Sequence, residues 1–359
     1  MENMEVNSRF WTGRRVLLTG HTGFKGAWLA LWLTRLGAKV YGYSLAPSSN
    51  NNLYVQAKLT DLLAAEVFRD IRSFEEINRF LGEAAPDCIF HLAAQAEVKE
   101  SYRDPRETFS INIQGTVTLL DALRHYTTSA PVVIVTSDKC YRNNDSGRSF
   151  IESDAIGGGD PYSTSKACQE MISESMVDAF FSSDGRFATA RAGNVVGGGD
   201  WASHRLVPDV VRAWRVNETL QLRYPSAVRP WQHVLDVVSG YARLAEWLTC
   251  EATSAFSTFN FGPRAESSIS VHSFVENFCR ELGRKIPIQT CSPAGKEAVE
   301  LRLDASKAHD MLSWRPIYSL AQTISETADW YRNVEEGQVP RDVSFQTVDR
   351  FVKEIKTKG

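Results

Sequence analysis

The first half of the chain alternates short apolar runs with longer stretches of helical periodicity. Arg15–Thr19 (RVLLT) is an aliphatic run that ends at a glycine, and Ala27–Leu36 then carries apolar residues at helical spacing until Gly37. Nearly continuous apolar strands separated by amphipathic helices are typical of a parallel sheet that is covered on both faces. The pattern therefore predicts an α/β fold built on a doubly wound, Rossmann-type parallel sheet.

The remaining segments divide the chain into two parts. Further strands are predicted at Lys39–Tyr43, Ala65–Phe68, Cys88–Leu92 and Val132–Thr136, and helices at Ser73–Leu81 and Arg106–His125. Beyond about Gly193 the alternation becomes irregular, and proline-bearing segments and loops (Leu206–Val211, Arg223–Pro230) mix with helices at Val237–Trp247 and Val271–Leu282. We expect residues 1–193 to form the sheet domain and residues 194–359 mainly a smaller mixed lobe. Some segments of that lobe should return to the sheet, with a ligand cleft between the two parts.

Composition and charge exclude several classes of protein. An apolar fraction of 43%, a charged fraction of 23% and a net charge of −3 give no reason to expect a nucleic-acid or membrane partner. The 6 cysteines are scattered without a CxxC pair, so neither a metal site nor a disulfide framework is predicted. The amino-terminal segment before the first strand has no apolar run, and no apolar stretch reaches the roughly 20 residues of a membrane span. We therefore expect a cytoplasmic protein without a signal peptide.

A glycine-rich segment, GHTGFKG at Gly20–Gly26, joins the first predicted strand to the first predicted helix. Glycines at this point allow a tight turn, a close approach of the backbone to a pyrophosphate, and close packing of the helix against the strand. A plain strand-to-helix turn is the alternative, but the position of the segment favours dinucleotide binding. The expected cofactor contacts here are Gly20, Thr22, Gly23, Phe24 and Gly26.

The acid that usually grips the cofactor ribose at the end of the second strand is missing. Tyr43-Ser44-Leu45 offers neither a carboxylate for the ribose diol nor a cation for a 2′-phosphate. NAD is therefore expected in preference to NADP, and it should be held loosely. Asp70 and Ile71, after the third predicted strand, are expected to contact the cofactor, with the Asp70 carboxylate presented to the adenine amino group. A helix N-cap or a surface acid is the alternative role for Asp70.

Tyr162 and Lys166 stand at i and i+4 on a predicted helix that Pro161 helps to start. With a reference pKa of about 10, a tyrosine is a poor base at neutral pH. The Lys166 ammonium, together with a cationic nicotinamide, is expected to lower the pKa of Tyr162 into the working range. A surface pair is the alternative, but the glycine turn upstream and Ser137 at the end of the fifth strand favour catalysis.

Six strings together resemble the extended short-chain dehydrogenase family and, within it, the nucleotide-sugar 4,6-dehydratases. They cover most of the chain: GHTGFKGAWL (Gly20–Leu29), HLAAQ (His91–Gln95), TSDKCY (Thr136–Tyr141), GGGDPYSTSK (Gly157–Lys166), RAGNVVGGGDW (Arg191–Trp201) and RPWQHV (Arg229–Val234). Other sugar dehydratases usually carry Asp-Glu where this chain has Asp138-Lys139, and Asp-Lys resembles the group that acts on CDP-glucose. Ala96-Glu97-Val98-Lys99 departs from the Pro-Leu-Val-Arg-like string of that group.

The resemblance implies roles for individual residues. Ser137, Tyr162 and Lys166 would form the oxidoreductase core, and Asp138 and Lys139 would carry the dehydration. Further cofactor contacts would be Leu92, Ala93, Ala94, Thr136, Tyr162 and Lys166, and the substrate would be held by Gln95, Ser137, Asn194, Arg205 and Arg229. From its own chemistry, Arg229 suits pyrophosphate oxygens, with a buried structural ion pair as the alternative. The implied assembly is a homodimer or homotetramer, and the implied pathway makes deoxysugars for a surface polysaccharide.

The implied reaction removes water from a nucleotide-linked glucose. Tyr162 takes the C4 hydroxyl proton while hydride passes to NAD, and the resulting ketone acidifies the C5 hydrogen. Asp138 as acid and Lys139 as base then expel the 6-hydroxyl, and hydride returns to C6. Each of the two must hold a protonation state unusual at neutral pH, which burial or a shared proton would supply.

Two alternatives remain open at this point. The first is a different nucleotide-sugar 4,6-dehydratase or a 4-epimerase on the same core, although an epimerase needs no acid–base pair beside Ser137. The second is a non-catalytic NAD-sensing regulator, although such proteins tend to lose the Tyr or the Lys. This chain keeps both Tyr162 and Lys166.

Overall fold

The computed structural model describes residues 7–126, 129–143, 147–181, 186–252, 254–291 and 301–358. Residues 1–6, part of the segment in which no signal peptide is expected, lie outside these ranges. The strands are β1 (Arg15–Thr19), β2 (Lys39–Ser44), β3 (Ala65–Phe68), β4 (Cys88–His91), β5 (Val132–Val135), β6 (Phe187–Ala192), β7 (Asn194–Val196), β8 (Leu220–Leu222), β9 (Val228–His233), β10 (Phe256–Phe261), β11 (Ser268–Ser270) and β12 (Ile288–Thr290).

The helices of the described residues are distributed over the whole chain. They are α1 (Ser8–Trp11), α2 (Phe24–Arg35), α3 (Leu53–Gln56), α4 (Phe74–Ala84), α5 (Val98–Arg103), α6 (Pro105–Phe109), α7 (Gly115–Tyr126), α8 (Pro161–Phe180), α9 (Leu206–Val216), α10 (Val234–Cys250), α11 (Val271–Glu281), α12 (Ser306–Leu312), α13 (Leu320–Glu335) and α14 (Pro340–Lys358). Within these described ranges, no helix is both long and apolar enough to cross a membrane.

The main sheet has seven strands in the order β10-β6-β5-β4-β1-β2-β3, and every neighbouring pair is parallel. The chain runs outward from β1 through β2 to β3, and then from β4 on the other side of β1 outward to β10. This reversal confirms the predicted doubly wound sheet. Ligands of such sheets bind at the carboxyl ends of the strands where the direction reverses, which here is the junction of β1 and β4.

The strands are buried on both faces, as their continuous apolar character predicts. In β1, Val16 and Leu18 pack into one core cluster with α2 and α10, whereas Leu17 packs into a second cluster with α4 and α7. Alternate side chains of a strand point to opposite faces, so one apolar run supplies both cores. The burial therefore fixes which strand ends meet at the edge where ligands bind.

Several local predictions require correction. Leu206–Val211 was expected to be irregular because of Pro208, but it begins helix α9, since a proline in the first turn removes no helical hydrogen bond. The single helix expected at Arg106–His125 is divided into α6 and α7 by a π-turn at Ser110–Gln114. The pattern also gave no strand at Phe187–Ala192, where the alanine-rich β6 lies.

The part of the chain after residue 194 is mixed in structure. β11, β9 and β7 form a three-stranded sheet, and β12 pairs with β8. Strand β10 pairs with β6 at the edge of the main sheet, and α10 packs against α2 over the same sheet. The later segments thus contribute to the main sheet as well as to a second group of elements beside it.

Candidate active site

The glycine turn lies where β1 ends beside β4. Gly20 has a φ of 76°, and a Cβ there would come 2.7 Å from the backbone of Leu92 and Ala93. A Cβ at Gly26 would come 2.1 Å from the Gly20 carbonyl oxygen. Both glycines are therefore required by the packing of the turn itself, because no side chain fits between these backbones.

The amino terminus of α2 is suited to an anion. Gly23 is its N-cap residue, and no side chain caps the helix there. The first backbone N–H groups of a helix have no partner within it, and the helix dipole favours negative charge at this end. Because Gly23 is also exposed, a pyrophosphate can approach these groups, so this part of the chain fits a dinucleotide.

The ribose side of the turn holds polar residues that the sequence pattern did not single out. The Thr22 hydroxyl lies 2.8 Å from the Ser44 hydroxyl and donates to the Leu45 carbonyl at 3.0 Å. The acid near this edge is Glu66 from β3, which bonds His21 at 2.9 Å and Tyr54 at 2.7 Å. Although burial opposes the charge, hydrogen bonds from His21, Thr60 and Tyr54 lower the pKa of Glu66 to about 2.

Asp70 is not a helix N-cap but a partly exposed acid that pairs with a neighbouring arginine. Its carboxylate pairs with the Arg72 guanidinium at 2.6 Å and accepts the Arg72 backbone N–H at 2.9 Å. The hydrogen bond from Arg72 lowers the pKa of Asp70. Ile71 is buried, and its side chain lies against Gly115 at the start of α7. Contact of either residue with a cofactor stays a prediction.

The catalytic candidates on α8 are placed by a well-formed helix start. Asp160 is the N-cap residue, accepts the Ser163 N–H at 2.9 Å, and is followed by Pro161 in the first turn. Tyr162 and Lys166 are 8% and 3% exposed, and Lys166 bonds the carbonyl of the last residue of β5. The structure thus brings Tyr162 together with Ser137, whose hydroxyl contacts the phenol.

In the chain by itself the pKa of Tyr162 is not lowered, and the expected joint effect of Lys166 and a cationic nicotinamide stays a prediction. Burial raises the pKa of Tyr162 to about 12, against the opposing effects of Ser137 and Arg205. Burial also lowers the pKa of Lys166 to about 7. Removal from water disfavours the charged form of both groups, so the ammonium and the phenolate are both destabilised. A further cation beside the phenol is needed to bring it into range at neutral pH.

Lys166 is held by a relay of polar side chains that sequence reasoning missed. Its Nζ donates to Gln169 Oε1 at 2.9 Å and to the Val135 carbonyl at 3.3 Å. Gln169 donates in turn to Thr116 Oγ1 at 2.8 Å. Asn112, in the π-turn, bonds Ser165 at 2.8 Å, and such turns are frequent at functional sites. The only sequence signal was the i+3 spacing of Gln169 from Lys166.

Lys25, inside the glycine turn, is a second amine of this site that the sequence analysis did not assign. Burial and the nearby Arg205 lower its pKa to about 8, and Asp138 opposes this effect. The Lys25 ammonium also contributes to the lowered pKa of Lys166. Two lysines from different parts of the chain therefore face one site, with Asp138 close to the first of them.

Asp138 and Lys139 come shortly after the end of β5, but the surroundings of the two side chains differ from each other. Asp138 is 4% exposed, and its Oδ1 accepts the Ser137 hydroxyl at 2.9 Å. A Cβ at Gly193 would come 3.0 Å from Asp138 Oδ2, so a glycine there leaves this oxygen room. Lys139 is only partly buried. The burial that the acid–base roles require is present for Asp138 and incomplete for Lys139.

The predicted substrate residues lie on several elements. Arg205 precedes α9, pairs with Asp200 at 3.3 Å, and is close enough to Tyr162 to affect the pKa of the phenol. Lys99 Nζ lies 3.3 Å from His204 Nδ1. The segment 96–99, whose sequence differs from the string expected from the resemblance, therefore contacts the residue that precedes Arg205. Gln95 is engaged within the chain, since its amide donates to Thr108 and to the Glu97 carbonyl at 3.0 Å each.

Asn194 and Arg229 belong to the three-stranded sheet beyond the main sheet. Asn194 stands opposite Trp231 in the pairing of β7 with β9, and Arg229 stands opposite Ile269 in the pairing of β9 with β11. The Arg229 guanidinium donates to the Val228 carbonyl at 2.8 Å. His233 is buried and its Nδ1 accepts the Leu235 N–H, so this histidine is satisfied within the core.

No cluster of three or more His, Cys, Asp or Glu residues that could bind a metal occurs in the described ranges. Tyr162, Asp138 and the lysines are groups that can transfer protons, and they lie beside a turn that fits a dinucleotide. This combination suits an oxidation that needs a cofactor together with acid–base steps by the protein.

Comparison with known proteins shows the family of this chain. CDP-glucose 4,6-dehydratase of Salmonella typhimurium is 40% identical over 340 residues, which cover 93% of this chain and 94% of that protein. dTDP-glucose 4,6-dehydratase of Bacillus anthracis in complex with NAD superimposes with a TM-score of 0.76 at 22% identity, over 91% of this chain and 99% of that one. UDP-glucose 4-epimerase of Brucella ovis in complex with NAD gives a TM-score of 0.78 at 22% identity, over 89% and 99%. Residues 17–327 match the family described as GDP-mannose 4,6 dehydratase, and the chain belongs to that family.

Proposed function

We propose that this chain is an NAD-dependent CDP-glucose 4,6-dehydratase that converts CDP-glucose to CDP-4-keto-6-deoxyglucose and water. The observation that carries the proposal is the placement of Asp138, buried and hydrogen-bonded to Ser137, beside Tyr162. A C4 oxidation would use Tyr162, Ser137 and Lys166 with NAD as the hydride acceptor, whereas an acid next to them supplies the extra proton transfer that water loss requires. The Salmonella typhimurium relative, at 40% identity, is named for this activity.

The cofactor proposed for the glycine turn is NAD. Gly20 and Gly26 allow the turn to pack closely, Gly23 is exposed, and the uncapped start of α2 supplies N–H groups for the pyrophosphate. Ser44 and Thr22 bond each other where a ribose-binding acid usually stands. Bound NAD would supply reversible acceptance of two electrons and a hydrogen, first from C4 and later toward C6 of the sugar.

The residues of the chain would then act in two stages. Tyr162 removes the C4 hydroxyl proton, and Ser137 steadies that oxygen while the carbonyl forms. Lys166 is itself fixed in the site by the hydrogen bonds that its Nζ donates to Gln169 and to the Val135 carbonyl. With a ketone at C4, Lys139 takes the C5 proton and Asp138 protonates the departing 6-hydroxyl, which leaves as water. When the hydride taken from C4 returns to C6, Lys139 would give its proton back to C5, which completes the 4-keto-6-deoxy sugar.

Substrate contacts complete the proposal. Arg205, Arg229 and Asn194 are proposed to hold the nucleotide sugar, because guanidinium groups bind phosphate oxygens in a bidentate manner. Arg205 is the one of these placed beside Tyr162. The CDP preference is proposed to come from hydrogen bonds that match cytosine, since a buried polar contact left unpaired rejects a mismatched base.

The test compares CDP-, UDP-, GDP- and dTDP-glucose at equal concentration with purified protein and added NAD or NADP. We expect formation of the 4-keto-6-deoxy sugar with the highest kcat/KM for CDP-glucose, and greater activity with NAD. A preference for another base would overturn the CDP assignment and leave the dehydratase in place. Inversion at C4 without release of water would instead indicate an epimerase and overturn the proposal.

A further inference from the structure

A buried carboxylate lies directly below the catalytic candidates on α8. Glu170 stands one helical turn after Lys166 and is 3% exposed. Its oxygens accept hydrogen bonds from Thr136 Oγ1, from Thr189 Oγ1 at 2.6 Å, and from Arg191 at 2.9 Å. Glu170 therefore ties α8 to the end of β5 and to β6 at three points.

The partner of this carboxylate extends the connection further. Arg191 donates to the Tyr141 phenol oxygen at 2.7 Å and to the Glu152 carbonyl at 3.1 Å, with its guanidinium 4.7 Å from the centre of the Tyr141 ring. Tyr141 donates to Asn260 Oδ1 at 2.8 Å. Asn260 belongs to β10, so the contacts reach the strand at the edge of the main sheet.

The position of these contacts along the chain is informative. Thr136 immediately precedes Ser137, and Tyr141 closes the single turn of 3-10 helix at Asp138–Cys140. Both ends of the segment Ser137–Cys140 are thus bonded to the same buried ion pair, Glu170 with Arg191. The same carboxylate lies on the helix that carries Tyr162 and Lys166.

We propose that the anchoring network, formed by Thr136, Tyr141, Glu170 and Arg191, is a positioning device that holds Asp138 and Lys139 in register with Tyr162. The inference rests on the proposed function. Its role is to join the oxidation at C4 to the loss of water across C5 and C6, two steps performed on one bound sugar by groups from different elements. Displacement of reacting groups by about 1 Å can lower a rate by about a hundredfold, so such a clamp matters for the second step.

General energetics support a positioning role. A buried ion pair must recover the cost of removing two charges from water, and a well-packed apolar replacement is often as stable or more so. Arg191 and Glu170 are 4% and 3% exposed, and Arg191 Nε has no hydrogen-bond partner in the described part of the chain. Because both charges are removed from water, the pair contributes little net free energy to the stability of the core. Its directional hydrogen bonds instead fix both ends of the segment Ser137–Cys140.

The test uses Tyr141→Phe, which keeps the ring stacked on Phe150 at 4.9 Å and removes only the hydroxyl that bonds Arg191 and Asn260. With CDP-glucose and NAD, we expect release of 4-keto-6-deoxy product to fall by at least about tenfold, because Asp138 and Lys139 lose register. The steady-state fraction of reduced cofactor, read from its near-ultraviolet absorbance, should rise. KM should stay within about threefold of the parent value, since Tyr141 is not placed in substrate binding.

Two further variants separate positioning from stability. Glu170→Gln weakens the pair with Arg191 and should show the same rise in reduced cofactor if it folds, as judged by circular dichroism. Glu326→Gln removes a different carboxylate–guanidinium pair, with Arg350 at 2.8 Å between α13 and α14, and serves as the matched control. The control should leave the ratio of oxidation to water loss unchanged even where it lowers Tm.

The outcomes are distinguishable. A Tyr141→Phe protein that releases product at the parent rate, or that slows oxidation and water loss equally, overturns the positioning role. A parent protein that releases no water from any of the four nucleotide-glucoses overturns the proposed function and this inference with it. A raised reduced-cofactor fraction in Tyr141→Phe, absent in Glu326→Gln, supports the anchoring network.

Discussion

Asp236, in the first turn of α10, provides a sensitive test of how burial sets the stability of this protein. The side chain is 1% exposed, and its Oδ1 accepts the Ile317 N–H at 2.6 Å. Its Oδ2 has no hydrogen-bond partner in the described part of the chain. Burial raises the pKa of Asp236 from 3.8 to about 7, against the opposing hydrogen bonds from Ile317 and Tyr318. Asp236→Asn is isosteric with the protonated acid and keeps the oxygen that accepts from Ile317.

The magnitude follows from linkage between protonation and folding. Because the folded state holds the Asp236 proton more tightly than the unfolded state, this contribution to stability is complete below pH 3.8 and is lost as the pH rises to about 7. A difference of about three pKa units corresponds to about 4 kcal/mol, of which about 3 kcal/mol falls above pH 5. The asparagine carries no such proton. Its free energy of unfolding should therefore rise relative to the parent as the pH increases from 5 to 7, and the difference should then stay constant.

The assay is urea unfolding at intervals from pH 5 to pH 8, with the free energy of unfolding obtained for parent and variant at each pH. Asp178→Asn, which removes a carboxylate from an exposed position of α8, is the control, and its difference from the parent should change little with pH. An Asp236→Asn difference that is flat across this range, or that shrinks as the pH rises, would refute the reasoning.

Three further predictions concern the active site. Tyr162→Phe should fold normally and lose at least about a hundredfold in turnover, the usual scale for a missing acid–base group; turnover near the parent value would remove Tyr162 from the mechanism. Asp138→Asn and Lys139→Ala should slow water loss more than oxidation and accumulate reduced cofactor, observed by absorbance, and parent-like dehydration in both would contradict their roles. Lys25→Met removes a neighbouring positive charge, so the pKa of Lys166 should rise above about 7 and Lys166 should keep its charge to higher pH. At saturating NAD, the pH at the midpoint of the turnover change that is assigned to Lys166 should then rise by about one unit. An unchanged pH profile would show that the two lysines are not coupled.

The sheet was predictable because its signals are local. Arg15–Thr19 and Ala65–Phe68 are strands with the bounds expected from their apolar pattern, and the glycine turn lies between β1 and α2. The continuous apolar run of a parallel strand consists of consecutive residues, so no distant contact is needed to find it. In contrast, Phe187–Ala192 reads weakly as a strand because its alanines also suit a helix, and pairing with β5 and β10 determines its structure.

For the catalytic candidates too, some features follow from local sequence and others depend on tertiary packing. Tyr162 and Lys166 are found from a spacing of one helical turn, and Ser137, Asp138 and Lys139 from their place after β5. The sequence could not predict the direction of the pKa of Tyr162, because burial at the bottom of the site outweighs the nearby charges. Whether a titratable group is buried depends on every element packed around it, and spacing along one helix does not contain that information.

The sequence by itself determined the doubly wound class of the sheet, the glycine turn and the Tyr–Lys helix. Only the tertiary structure brought Lys25 beside Asp138, joined His21 to Glu66 across 45 residues, and closed Glu170 on Arg191 across 21. Helical and strand periodicity depend on neighbours within a few residues, whereas these contacts arise where separate strands end at the same edge of the sheet. Side chains distant in sequence meet there, and burial among them, more than residue type, sets which groups are charged.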